Sequence, residues 1–205
     1  MTRFSSLSSL RMHFQVQSRL LGSLAVGLII LELANQTCNH AISEMLGLRP
    51  RSIQGLFGIF TSHFLHGDFT HLLTNLIPFL TLASIVLIRS QRDFFWATGS
   101  IMLGGGIGTW LVGQTGSIHV GCSGLVFGYL GFLFTLGIIE RSITSILSAV
   151  GVAVLYRSLL WGLLPFQKGI SWEMHTFGFM GGVWSAMTLV HILKKKSSSP
   201  SSISS

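Results

Sequence analysis

A serine hydroxyl becomes a useful nucleophile only when a base within hydrogen-bond reach can take its proton. Ser123, in the run Gly121-Cys122-Ser123-Gly124, and His175 are residue types that can form such a pair. The chemistry they suit is nucleophilic acyl transfer, which also needs donors aimed at the developing oxyanion. His71 and Asn75, four residues apart, lie on one face of a helix and carry side-chain donors. The backbone N–H of Ser123, at a helix N-terminus, is a third. No carboxylate is an obvious third partner for the base: Asp68 lies just ahead of His71, and Glu173 two residues before His175. A serine–histidine pair works without one if packing holds the imidazole.

The elements that must carry these groups are set by composition. Of 205 residues, 49% are hydrophobic and only 9% charged, against about 25% charged in a typical soluble domain. Lipid is therefore the expected solvent for most of the surface. Apolar runs near 19–35, 71–89, 94–112, 123–139, 143–164 and 174–193 approach the length needed to cross a bilayer. The chain thus reads as an all-α polytopic membrane protein with six transmembrane helices and a long external first loop. It divides into an N-terminal segment 1–18, a membrane domain 19–193, and a basic then Ser-rich tail 194–205. Arg3, Arg11 and Arg19 ahead of Leu20–Leu31 resemble a signal peptide, but no small-x-small cleavage site follows, which predicts an uncleaved first span.

Orientation follows from Lys and Arg. With the N-terminus inside, Arg3, Arg11, Arg19, Arg89, Arg92, Arg141 and Lys194–Lys196 are cytoplasmic, while Arg49, Arg51 and Lys168 are external. This positive-inside bias places both termini in the cytoplasm. The net charge of +7 serves topology, and no basic stretch interleaved with aromatics suggests nucleic acid. His71, Asn75, Ser123 and His175 then all open spans that enter from outside, at one depth. Intramembrane polar groups are costly and raise a functional expectation. Gly124 and Gly128 on one helix, and Gly178 and Gly182 on another, form small-xxx-small faces through which Ser123 and His175 can meet.

These residues resemble the rhomboid family of intramembrane serine proteases. The resemblance rests on His71-Leu-Leu-Thr-Asn75, the GCSG around Ser123, and His175 followed by Gly178 and Gly182, and covers about residues 20–193. It implies a compact six-span bundle with Ser123 as nucleophile, His175 as general base, and His71 and Asn75 stabilising the oxyanion. It further implies a transmembrane protein substrate, no cofactor, a bacterial inner membrane, and a gate and cap formed by the fifth span and loop 165–172. Three positions depart from the family pattern. Phe57-Gly58 stands where the first external loop often has Trp-Arg. Phe127 replaces a tyrosine and is expected to keep the stack on the base. Met174 replaces a small residue, and its bulk is expected to bear on the fourth–sixth helix contact.

Competing readings are weaker. His63, His66 and His71 lack the HExxH or equivalent carboxylate of a zinc protease, and His63 and His66 are expected at the membrane interface in the first loop. Phe57, Phe60 and Phe64 are expected to anchor that loop there. Gly104–Gly106 with Gly108 fits tight helix packing better than phosphate binding. Cys122 reads as an apolar filler, and with Cys38 it is too little for a disulfide framework. Glu32 and Arg157 either pair within the membrane or snorkel to its edge. A catalytically inactive relative that binds transmembrane partners and a small transporter are the alternative functions, and the oligomeric state is open.

Overall fold

Apolar runs that exclude water must satisfy their backbone polar groups internally, which favours helix. The computed structural model describes residues 7–141, 143–156, 161–165 and 169–198. Its α-helices are α1 (Leu7–Thr37), α2 (Ala41–Leu46), α3 (Gly58–Thr61), α4 (Phe69–Arg89), α5 (Gln91–Val112), α6 (Ser123–Glu140), α7 (Ile143–Leu155) and α8 (Trp172–Ser198). Among the described residues there is no strand, only an isolated antiparallel bridge between Leu48 and His119.

Four helices are long and apolar enough to cross a membrane: Phe14–Thr37, Phe69–Arg89, Ser123–Glu140 and Trp172–Leu193. The other two expected spans are also helical but fall short of that standard. α5 has 22 residues, yet its glycines and polar first turn dilute its apolar character. The described part of α7 has 13 residues, and Arg157 and Lys168 lie outside the described residues. α1 begins well before residue 19, carrying Arg11 and Arg19 on the helix itself.

A helix that is apolar all round belongs in the centre, and α6 is one. Every residue from Ser123 to Leu133 is buried. α4, α5, α7 and α8 surround it, α8 lying across both α5 and α6, while α1 lies outside against α4. Tyr129, on α6, is fully buried and bonds to Thr98 of α5 at 2.7 Å. At the end of the bundle away from Ser123, Arg89 joins α4 to α5 through Asp93 (2.8 Å) and to α6 through Glu140.

The segment between α1 and α4 is folded rather than trailing. Asn35 closes it onto α1: its amide donates to Ser43 Oγ (2.8 Å) and to the His66 carbonyl (3.1 Å). Leu48 and His119 exchange two backbone hydrogen bonds (2.9 and 3.1 Å), tying this segment to the α5–α6 connection. The Arg51 guanidinium adds bonds to the carbonyls of Leu111 (2.8 Å) and Gly113 (2.7 Å). Gly58 sits so close to the Leu48 backbone that a Cβ would stand 2.3 Å from Leu48 Cα, which explains why no bulkier residue occupies that place.

Candidate active site

Ser123 is the first residue of α6, and His175 lies in the first turn of α8. The two are brought together: the Ser123 hydroxyl lies 2.8 Å from His175 Nε2, and both residues are buried. On the other edge of the ring, Nδ1 is 2.9 Å from the Gly162 carbonyl. A carbonyl only accepts, so Nδ1 carries the ring proton. In a neutral imidazole Nε2 is then the acceptor and Ser123 the donor. That is the tautomer a general base needs.

The ring is also held by its face. Phe127, one turn after Ser123, stacks on His175 with centroids 4.1 Å apart and planes 16° from parallel. Gly162 lies against both groups: a Cβ there would stand 2.9 Å from Phe127 Cζ and 3.1 Å from His175 Nδ1. Neither the glycine nor its carbonyl has a residue-type signature, and no signal in the sequence singles out this partner.

Gly121 precedes the nucleophile with φ +126°, a conformation that side chains disfavour, and its N–H donates to the Ser62 carbonyl at 2.9 Å. A Cβ on Gly121 would stand 2.9 Å from His71 Nε2 and 3.7 Å from Ser123 Oγ. Glycine therefore keeps open the space between His71 and Ser123. His71 is set by Asp68, whose carboxylate caps α4 by accepting from the His71 N–H at 2.7 Å. Asn75 lies one turn further along α4, its amide donating to the His71 carbonyl at 2.9 Å, which leaves one amide hydrogen for another acceptor.

His63 and His66 are fully buried within the protein. The 3₁₀ turn Ser62–Phe64 folds them inward over the start of α6. His66 accepts from the Cys122 N–H at 3.3 Å and packs edge-on against His71, with centroids 5.3 Å apart. Burial lowers both rings to a pKa of about 4, His66 further through its neighbour His71, so both are neutral at pH 7. Among the described residues no group of three or more His, Cys, Asp or Glu is arranged to hold a metal ion. Phe57, Phe60 and Phe64 are outwardly exposed. Glu32 is buried, one oxygen accepting from Gln36 at 3.0 Å and the other without a hydrogen bond. It therefore does not snorkel.

The glycines act on the backbone. A Cβ on Gly178 would stand 2.4 Å from the Gly124 carbonyl oxygen, and one on Gly182 would stand 1.9 Å from that of Gly128. Both are far inside contact distance, so α8 and α6 touch main chain to main chain. On the α6 side, Gly128 makes room for Ile101 of α5, and Gly124 for Met174. Gly108 similarly receives the Phe177 ring. Met174 is seated in the gap that Gly105 and Gly124 leave and is buried.

A helical bundle with membrane-length helices fits an integral membrane protein, and this one carries a buried serine–histidine hydrogen bond at one end. The Rhomboid domain profile matches residues 54–192, and the chain belongs to the rhomboid family. It is 35% identical over 170 residues to an uncharacterized protein of Mycobacterium tuberculosis, covering 79% of this chain and 70% of that one. An uncharacterized protein of Mycobacterium leprae is 34% identical over 170 residues, covering 79% and 67%. A Bacillus subtilis protein named "Putative rhomboid protease YdcA" is 29% identical over 127 residues, covering 60% and 62%.

Proposed function

We propose that this protein is an intramembrane serine endopeptidase that cleaves transmembrane segments of other proteins near their external end. The observation that carries the reading is the 2.8 Å contact between Ser123 Oγ and His175 Nε2, with Nδ1 bonded to the Gly162 carbonyl. Family membership supports it. On this reading the chain crosses the membrane six times, α5 being a span diluted by glycine and α7 one whose described part is short, with both termini cytoplasmic and the site in the outer half. Dilute apolar character suits α5, whose Gly104, Gly105 and Gly108 lie against α8, since it is tolerated where protein replaces lipid. The bacterial relatives support placement in a bacterial inner membrane.

The Ser123 hydroxyl proton passes to His175 Nε2 as Oγ bonds to the scissile carbonyl carbon. The oxyanion forms in the space beside Gly121, facing the Ser123 N–H, His71 and the remaining Asn75 amide hydrogen. As the C–N bond breaks, the leaving amine takes the proton from Nε2. Water admitted from the outer face then hydrolyses the acyl-enzyme with His175 again as base. No cofactor enters these steps.

Fluorophosphonate labelling of detergent-purified protein tests the nucleophile: wild type labels and Ser123→Ala does not. Labelling that persists equally in Ser123→Ala removes Ser123 from the mechanism. Cleavage of a transmembrane substrate by wild type and none by His175→Ala separates a protease from a relative that only binds transmembrane partners.

A further inference from the structure

Outside the pair and its proposed oxyanion donors, one part-buried polar chain leads to His175. Ser117 donates its hydroxyl proton to the Gln114 carbonyl at 2.6 Å. Its oxygen, 2.8 Å from His119 Nε2, must therefore accept, so Nε2 carries the ring proton. His119 Nδ1 is then an acceptor, and Ser171 Oγ, 2.5 Å away, donates to it. Ser171 immediately precedes α8, and its carbonyl accepts from the His175 N–H at 3.2 Å. His119 itself is buried and fixed through its backbone by the two-bond bridge to Leu48. The series Gln114–Ser117–His119–Ser171 thus runs from the α5–α6 connection, which delivers Ser123, to the turn of α8 that delivers His175.

We infer that His119 is a positioning residue for the base: it holds Ser171, and through it the first turn of α8, in register with Ser123. This rests on the acyl-transfer reading above. An asparagine at 119 places an amide oxygen where Nδ1 stands and keeps the bond from Ser171. Glutamine reproduces only the Nε2 edge, and leucine neither.

The full chain in detergent is assayed for the rate of Ser123 labelling by a fluorophosphonate and for amide hydrogen exchange across 172–176. His119→Leu, His119→Gln and Ser171→Ala are expected to slow labelling about tenfold, the scale of one lost hydrogen bond. All three are expected to speed exchange in that turn, whereas His119→Asn keeps both near wild type. The double variant His119→Leu/Ser171→Ala should lose no more than either single variant. Should His119→Leu fail to fold, Ser171→Ala, which removes one oxygen, carries the same test. Unchanged exchange in the Leu and Ala variants, multiplying losses, or no rescue by Asn overturns the inference. If wild type never labels but exchange responds as stated, acyl transfer fails while the link from His119 to α8 stands. If wild type labels and His119→Leu or Ser171→Ala labels at the same rate, the positioning role fails alone.

Discussion

Gly22 and Gly27 on α1 and Gly178 and Gly182 on α8 are the same residue at similar helical positions, yet their surroundings differ completely. A Cβ on either α1 glycine would meet nothing within 4 Å, whereas on α8 it would press into the carbonyls of α6. α1 leans on α4 with much of its surface open, while α8 crosses both α5 and α6. Glycine in a membrane helix is thus informative only where another helix arrives. The contact between α6 and α8 is also the one that joins Ser123 to His175, so packing and the candidate site share one interface.

That contrast can be broken or sharpened by substitution. The largest loss is expected from Gly182→Ala, where a methyl 1.9 Å from the Gly128 oxygen forces the helices apart. About 3 kcal/mol of stability should disappear, the upper end of overpacking, with Gly178→Ala somewhat milder; thermal unfolding in detergent measures both. Next comes Gly162→Ala, which presses on Phe127 and His175 without touching the helix contact. Its labelling rate should fall roughly tenfold, with little change in unfolding temperature, as expected for a misplaced base. Phe127→Leu removes the stack on the imidazole and should slow labelling about fivefold, the scale of one aromatic pair. Gly22→Ala and Gly27→Ala come last: open space and better helix propensity predict a gain of up to about 1 kcal/mol each. A loss at either α1 position as large as that at Gly182 would erase the distinction between the two helices.

Five of the apolar runs, and residues 143–155 of the run 143–164, are helical because burying backbone in lipid leaves the chain few alternatives. Ser123 and His175 were readable because polar residues stand out in such runs and both stand at the start of one. Gly162 was not, since a carbonyl is present at every position and only folding chooses one. The burial of His63 and His66 was equally hidden: a short 3₁₀ turn, not a periodic pattern, turns them inward. α2 and α3, six and four residues long, are below the length at which periodicity speaks. The paired glycines were legible as faces, but that Gly128 also accommodates Ile101 of α5 required the third helix to be in place.

The bond from His175 Nδ1 to the Gly162 carbonyl has a further consequence. Gly162 lies outside α8, the helix that bears the imidazole. On the proposed mechanism, the tautomer that readies Nε2 to receive a proton is thus chosen by a main-chain carbonyl from another part of the chain. Displacing Gly162 relative to α8 would cost the ring that acceptor and leave Nε2 uncommitted. The readiness of the serine would then depend on how two separate stretches of chain are seated against each other, and on neither alone.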